Sequence, residues 1–329
     1  MKTTIDWFKF RCKLNPFELF DLIRPAFGTV GFMLELRTGV KGRDGWSFGA
    51  DVVLPDACTI AHIDYGGESQ RGWVRFDMSG GGCGWVQDWA AVEALDVTFG
   101  LNECDIKRID IAFTTADPSV ASDAIVLAAF EAGRFSCGGR PPCMKSVTNS
   151  DPCAGATRYI GKRENHKFLR CYEKGWELLK DLPKSAEFLR KPGVSFAVDH
   201  LGVVNAADLY RVELELKDVD KYIPWSVIGR RDEVFAGAYP FCASLIPDAP
   251  HWVMNELPSF KPKAALLQAL GNAFRAYGGT WKAAHMAYGG DDAALLSIAR
   301  AMLASEPSRR LVDAGVLTVE HELIGVEHE

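Results

Sequence analysis

Three polar side chains alternate along one short segment, and their types suit phosphate chemistry. The segment KFLRCYEK places Arg170, Tyr172 and Lys174 on one face of a predicted strand, opposite Leu169 and Cys171. A phenol, with an ordinary pKa of about 10, is a weak nucleophile at neutral pH, but neighbouring cations favour the phenolate. The pattern therefore predicts Tyr172 as a nucleophile, with Arg170 and Lys174 as the catalytic side chains that balance negative charge around it.

Two other predicted strands carry carboxylates in the same alternating pattern. In KRIDIAF, Asp110 shares a face with Arg108. In YRVELELK, Glu213 and Glu215 share a face with Arg211. If these faces align, the like charges repel and favour a divalent cation, and oxygen ligands prefer Mg²⁺ or Mn²⁺ to zinc. We therefore predict a metal site at Asp110, Glu213 and Glu215; the alternative is a solvated face on which the carboxylates pair with the arginines.

A tyrosine beside a hard metal ion and cations is suited to cleaving a phosphodiester bond. The attack would leave a covalent phosphotyrosine, while the metal neutralises charge on the non-bridging oxygens. Residues 158–174 carry six Lys or Arg and two Glu in a chain whose net charge is -6, which predicts a local surface for the DNA backbone. The predicted DNA contacts are Arg158, Lys162, Arg163 and Lys167. A solvated basic face is the alternative, and the negative net charge argues against non-specific coating of nucleic acid.

Three other residues compete for roles in this chemistry. His166, in the turn RENH, is a candidate for a phosphate contact or a base, or else is a solvent-exposed turn residue. Tyr159 and Tyr210 are rival nucleophiles, but each is adjacent to a predicted active-face residue, so strand alternation predicts that both point away. The chain contains no GxxxxGK[ST] segment and no GxGxxG opening a Rossmann unit, which disfavours ATP hydrolysis and dinucleotide binding.

The elements that would position these residues follow an α+β pattern. TIDWFKFRC, DIKRIDIAF, ATRYIGK, KFLRCYEK and LYRVELELK are typical of strands, and WSFGADVVL, CTIAHIDY and GWVRFDM lie between Gly-rich turns. GFMLEL is also predicted as a strand. Helices are predicted at FELFDLI, capped by Asn15, and at DPSVASDAIVLAAFEAG, capped by Asp117. We predict an antiparallel sheet with helices packed on it, and a long loop at 133–155.

The chain changes character after about residue 220. SVIGRRDEVFAGA, KAALLQALGNAFRAY and DAALLSIARAMLA are helical patterns, so we predict a catalytic domain at 1–220 and a mostly helical C-terminal region at 221–329. The nine cysteines are scattered without a CxxC pair, which favours free thiols in a reducing compartment. No apolar run is long enough for a membrane span, and the first residues lack the apolar stretch of a signal peptide. We expect a cytoplasmic protein with no membrane partner.

The motifs RIDIAF, RYIGKRENHKFLRCYEKG and RVELELK, in this order, resemble the rolling-circle replication initiators of the Rep-trans family. GWVRFDMSGGGCGWV is similar to the Gly-Cys segment of that family, and the resemblance covers roughly residues 1–220. It implies a relaxase-like, RRM-like palm, with Tyr172 as the nicking tyrosine and with Asp110 and Glu213 as metal ligands. The acid that members often carry soon after RxD is replaced here by Thr114 and Thr115.

The resemblance also implies the partners. It implies single-stranded or cruciform origin DNA in a bacterial host, a host helicase and polymerase, and an assembly compatible with a homodimer. The related HUH endonucleases hold their metal with a His-apolar-His strand, and no such triplet occurs among the seven histidines. The alternative function is a non-catalytic, sequence-specific DNA-binding protein that regulates replication on the same fold.

Overall fold

The structure is a computed structural model of the 329-residue chain. It describes residues 2–99, 104–151, 153–180, 191, 193–198, 201–219, 221–252, 276–291, 293 and 296. The chain divides into two compact units, Met1–Leu257 and Pro258–Glu329. The boundary predicted at residue 220 marks the end of the catalytic domain. That functional boundary stays a prediction.

A ten-stranded antiparallel sheet forms the centre of the first unit, with strand order β2-β3-β4-β5-β1-β6-β12-β9-β8-β7. Its strands are β1 (Thr4–Cys12), β2 (Glu35–Lys41), β3 (Phe48–Val53), β4 (Thr59–Tyr65), β5 (Val74–Ser79), β6 (Cys104–Thr115), β7 (Met144–Val147), β8 (Thr157–Ile160), β9 (Lys167–Glu173) and β12 (Tyr210–Lys217). A separate hairpin consists of β10 (Ser195–Val198) and β11 (Gly202–Asn205). The predicted α+β fold with an antiparallel sheet is confirmed.

Eight helices accompany these strands in the described part of the first unit. They are α1 (Pro16–Ile23), α2 (Gly28–Gly31), α3 (Gly80–Cys83), α4 (Trp89–Phe99), α5 (Asp123–Glu131), α6 (Lys174–Lys180), α7 (Arg231–Ala238) and α8 (Pro240–Leu245). Helix α1 begins as its sequence predicts, because the Asn15 side chain accepts hydrogen bonds from the backbone N–H groups of Phe17 and Glu18, and Glu18 reaches back to Asn15.

The sheet has one apolar face and one polar face. Alternation buries Phe8 and Phe10 of β1 on the apolar face, where the Trp225 ring contacts both at centroid distances of 5.7 and 5.3 Å. The same core includes Val126 of α5 and Phe235 of α7. Helices therefore cover the apolar face of the central strands, and the polar side chains of those strands lie on the other face.

Several predicted elements differ from the structure in extent. Helix α5 begins at Asp123 with Ser122 as its cap, because Asp117 instead accepts hydrogen bonds within a tight turn from Ser119. The segment GFMLEL contains the end of α2 and only the first residues of β2. The predicted loop at 133–155 contains the edge strand β7. The connection before β12 contains the β10–β11 hairpin.

The second unit is described over a short range. Residues 276–287 are helical, while nearly all of KAALLQALGNAFRAY and DAALLSIARAMLA lies outside the described residues. In the part of the chain that the structure describes, no helix is both long enough and apolar enough to cross a membrane.

Candidate active site

The register of three central strands brings the predicted polar residues into neighbouring rows. Strand β12 lies between β6 and β9, so Glu213 is opposite Arg170, and Glu215 is opposite Asp110. Tyr172 is opposite Arg211, one row further along. Because side chains of paired residues in antiparallel strands project from the same face, the structure brings together the tyrosine and all three predicted carboxylates.

Tyr172 is held by direct contact with one of these carboxylates. Its hydroxyl donates to Glu213 Oε2 at 3.1 Å, and Arg170 forms an ion pair with the other oxygen of Glu213. Burial raises the pKa of Tyr172, and the charge of Glu213 raises it further, while Arg211 opposes the rise. The phenol is therefore protonated in this arrangement, and its proton points at a carboxylate that can accept it.

Cations surround the tyrosine ring. The Arg170 guanidinium carbon lies 5.2 Å from the centroid of the Tyr172 ring, and Lys174 Nζ lies 5.7 Å from it. Lys174 is the first residue of α6 and binds Glu177 at 2.7 Å. Arg211, beside Tyr172, donates to Thr114 and to Asp6.

Glu177 and Arg211 were not predicted from the sequence as part of this site. The polar face of β12 already contained Arg211, so its place beside the tyrosine follows once the register is known. The spacing of Lys174 and Glu177 is the signal for an i, i+3 pair on a helix.

A second group of charges lies two rows from Tyr172. Arg108 donates to Asp110 through Nε at 2.8 Å and binds Glu215 Oε2 at 2.8 Å. Lys217 binds the other Glu215 oxygen at 2.6 Å. Burial raises the pKa of Asp110 from 3.8 to about 7; Arg108 opposes the rise, and the charges of Glu213 and Glu215 add to it. Asp110 therefore ionises less readily than a solvated carboxyl, mainly because it is buried.

The predicted metal ligands are close together but occupied by cations of the chain. Asp110 and Glu215 share the Arg108 guanidinium, and Glu213 binds Arg170 and Tyr172. Among the described residues, no group of three or more His, Cys, Asp or Glu side chains is arranged to hold a metal ion. Although carboxylate oxygens suit Mg²⁺ or Mn²⁺, the side chains as arranged do not fit a metal ion.

A cavity of about 500 Å³ opens beside the tyrosine. Tyr172 is only 6% exposed, yet it lines this cavity together with Tyr159, Arg170, Trp176 and Glu177. A substrate in the cavity would therefore meet Tyr172 and Arg170.

The predicted DNA contacts occupy different environments. Lys162 and Arg163 are exposed in the turn between β8 and β9. Arg158 projects from the helix-covered face and forms a two-point ion pair with Asp123 of α5, at 2.7 and 2.6 Å. Lys167 is half-buried and donates to the backbone oxygen of Ala238 at 2.7 Å. All four DNA contacts stay predictions, and those of Arg158 and Lys167 would require these bonds to break.

The rival residues also have definite places. Tyr159, predicted to point away, is opposite Arg170 in the β8–β9 pair and stacks on Phe168 at 5.7 Å on the same face as Tyr172. That expectation was wrong because Arg158, not Tyr159, points away from the site. Tyr210 is buried in the core, as predicted. His166 is buried, and its Nδ1 hydrogen bonds to the backbone oxygen of Lys217 at 2.5 Å, so it is not an exposed turn residue.

Comparison with known families identifies the region that carries these residues. Residues 104–256 match the family model described as replication initiation factor, Rep_trans. This part of the chain is similar to the replication initiation factor family. Strands β6, β9 and β12, with Asp110, Tyr172, Glu213 and Glu215, all lie within the family region.

Other comparisons are more distant. A similar solved structure is the rolling circle replication initiator protein from Geobacillus stearothermophilus, with 14% sequence identity and a TM-score of 0.49 over 72% of this chain and 83% of that chain. The search of curated proteins found no match.

Proposed function

We propose that this protein is a replication initiation factor that starts rolling-circle replication by nicking and rejoining origin DNA through Tyr172. The observation that carries the proposal is the hydrogen bond from the Tyr172 hydroxyl to Glu213, in a tyrosine that lines a cavity and has Arg170 and Lys174 beside its ring. A nucleophile in contact with a base, and a base held in turn by a third group, is the arrangement that activates hydroxyl nucleophiles. Here Arg170 is the third group, because it binds Glu213.

The proposed reaction conserves the phosphodiester bond energy in a protein adduct. The Tyr172 oxygen attacks the scissile phosphorus while its proton passes to Glu213, and the bond from phosphorus to the 3′ oxygen breaks. The 3′ oxygen takes up a proton from water, which leaves a free 3′ hydroxyl and a 5′-phosphotyrosine. Rejoining reverses these steps, with a 3′ hydroxyl as the attacking group and the Tyr172 oxygen as the leaving group.

Cations of the chain would stabilise the charge that develops on phosphorus. Arg170 and Lys174 lie beside the Tyr172 ring, near the point where the non-bridging oxygens of the scissile phosphate would be. Because burial keeps the phenol protonated, proton transfer to Glu213 is needed in the transition state rather than before binding. This division assigns Glu213 as general base and the two cations as electrostatic groups.

A requirement for Mg²⁺ or Mn²⁺ at Asp110, Glu213 and Glu215 stays a prediction, and no step above depends on it. Arg108 takes the position between Asp110 and Glu215 that a divalent cation would need. If a metal replaces Arg108 there, nicking is lost in EDTA and returns with added Mg²⁺ or Mn²⁺. Nicking at an unchanged rate in EDTA would leave the carboxylates with the roles described here.

The deciding experiment replaces Tyr172 by Phe, which keeps the ring and removes the attacking oxygen. We expect nicking of single-stranded origin DNA to fall by at least about 10³-fold, as for loss of other nucleophiles, while binding of the oligonucleotide persists. Mass spectrometry of the trapped wild-type complex should place the DNA adduct on the peptide containing CYEK.

Tyr159→Phe is the matched control, because Tyr159 lines the same cavity without contacting Glu213. An adduct on Tyr159 or Tyr210, or wild-type nicking by Tyr172→Phe, would contradict the assignment. Full DNA binding with no adduct and no nicking in the wild-type protein would favour the non-catalytic alternative.

A further inference from the structure

A second cavity, of about 710 Å³, lies at the turn between β8 and β9, and its described lining contains cations and no carboxylate. The four cations are Arg140, Lys162, Lys167 and Lys221. They come from three separate segments of a chain whose net charge is -6. Their convergence on one concave surface gives a locally positive field that favours an anion.

Two of these cations have no counter-charge among the described residues. Arg140 and Lys162 are exposed, and neither forms an ion pair within the part of the chain that the structure describes. By contrast, the cations around Tyr172 are paired with Glu213 and Glu177. The second cavity therefore offers positive charge that no described carboxylate neutralises.

The wall of the cavity holds a third cation in a fixed position. Lys167 Nζ donates to the Ala238 oxygen at 2.7 Å and lies 4.0 Å from the centroid of the Tyr239 ring. Burial lowers the pKa of Lys167, and the nearby charge of Lys221 lowers it further. A bound anion would relieve this repulsion, which is a gain that a solvated basic face does not offer.

The second cavity is separate from the cavity beside Tyr172. The two cavities share no lining residue. Lys167 and Tyr172 lie five residues apart on β9, a distance of about 16 Å along a strand. They also project from opposite faces, because Lys167 is paired with Leu216 of the core and Tyr172 with Arg211. A group bound here would not touch the reacting atoms.

The turn between β8 and β9 connects the two faces. Lys162 lines the second cavity, while the next residue, Arg163, reaches Glu215 on the polar face at 3.6 Å. Consecutive cations thus follow a path from the Tyr172 face around the turn. A polyanion can use such a path, whereas a single small anion uses only its end.

We propose that this cavity binds a backbone phosphate of the single-stranded origin DNA that flanks the nick. The proposal rests on the proposed function, and it adds Arg140 and Lys221 to the DNA-binding residues. The site would hold the flanking strand while Tyr172 is occupied by the scissile phosphate. Free phosphate or a nucleotide presents the same chemical group, and the experiment separates these sources.

Exposed cysteines in the cavity allow its occupancy to be measured by alkylation. Cys137 and Cys143 line it and are exposed, Cys58 is exposed elsewhere, and the other six cysteines are buried. Iodoacetamide is applied to the Tyr172→Phe protein, so that no nicking occurs, with and without a single-stranded oligonucleotide. At about ten times the dissociation constant, we expect alkylation of Cys137 and Cys143 to slow by about tenfold. The rate at Cys58 should not change.

Charge variants test whether the cations cause the protection. The double variant Arg140→Gln, Lys162→Gln should lose the protection and reduce the slope of log K against log salt by about 1.4, or about 0.7 for each lost phosphate contact. Lys41→Gln is the matched control, because Lys41 is exposed on β2 and does not line this cavity. It should leave both measurements unchanged.

Three outcomes would overturn the proposal. An oligonucleotide that binds, as judged by fluorescence anisotropy, but leaves Cys137 and Cys143 alkylation unchanged removes this site and leaves the proposed nicking function intact. Equal protection by inorganic phosphate or a mononucleotide, at the same phosphate concentration, assigns the cavity to a small anion instead. No binding of any oligonucleotide contradicts the proposed function as well.

Discussion

Two carboxylates on the same polar face, Asp64 and Asp110, have opposite pKa shifts although both are almost completely buried. Asp64, on β4, accepts hydrogen bonds from the Arg43 backbone and from the Arg43 and Arg75 side chains, at 2.8 to 2.9 Å for the closest contacts. Burial opposes its ionisation, but these bonds hold the pKa of Asp64 below its usual value. Asp110, on β6, has a pKa raised to about 7.

One cause of the difference between the two pKa shifts is how cations are shared. Asp64 receives two arginines, whereas Asp110 and Glu215 share Arg108, and Glu213 lies close enough to add repulsion. Both carboxylates are hidden from solvent, but Asp110 is the more deeply enclosed, so stronger desolvation adds to the effect of the shared arginine. On the β4–β5 side of the face the carboxylate Asp64 is held ionised by its arginines, whereas Asp110, two rows from the tyrosine, keeps a raised pKa.

The largest expected effect separates the two carboxylates near Tyr172. Glu213→Gln keeps the shape of the side chain but cannot accept the phenolic proton, so nicking should fall by about 10²- to 10⁴-fold, the usual contribution of a general base. Glu177→Gln is the matched variant, because Glu177 is also close to Tyr172 but lies on α6 and is partly exposed. We expect a much smaller loss there. Single-turnover nicking of an oligonucleotide measures both.

The reverse result has a clear meaning. If Glu177→Gln loses more activity than Glu213→Gln, the general base is on helix α6, and Glu213 serves another purpose.

The next effect concerns the free energy of unfolding contributed by Asp64 and its ion pairs. Asp64→Asn leaves Arg75 largely buried without a full counter-charge, so the free energy of unfolding should fall by about 3 kcal/mol. Asp44→Asn removes the exposed partner of the same arginine and should cost less than about 1 kcal/mol. Urea unfolding gives these values. Nicking per folded molecule should be unchanged in both variants, and a loss comparable to that of Glu213→Gln would mean that the polar face acts as one site.

Strand alternation predicted which residues of β6, β9 and β12 share a face, because it depends only on the period of two within one strand. It did not predict which faces align, since pairing between distant strands is not encoded in a local pattern. Arg158 shows this limit: its strand was predicted correctly, but its side chain projects toward α5 and pairs with Asp123. The neighbouring Tyr159 therefore lies on the Tyr172 face.

The contacts of the carboxylates could not be predicted either. Glu213 and Glu215 are equivalent in the sequence pattern, yet the order β6-β12-β9 places one against Arg170 and the other against Asp110 and Arg108. Which carboxylate meets the tyrosine depends on this register. The second cavity had only its turn cations as a signal, because Arg140 and Lys221 come from distant segments.

The smallest expected effect tests the comparison directly through pH. The pKa of folded Asp110 is about 7, above the value of about 3.9 for an unfolded chain. Its contribution to stability is therefore fully present below about pH 4 and is lost as the pH rises through 7. Asp110→Asn cannot ionise, so in EDTA its stability relative to the wild type should rise by about 2 kcal/mol between pH 5 and pH 8.

Asp64→Asn is the control: the lowered pKa of Asp64 places its stability change below the usual carboxyl range, so its difference from wild type should stay constant over the same interval. Urea unfolding at the two pH values measures both differences. A constant stability difference for Asp110→Asn would mean that Arg108 keeps Asp110 ionised as fully as two arginines keep Asp64 ionised. The two carboxylates would then not differ.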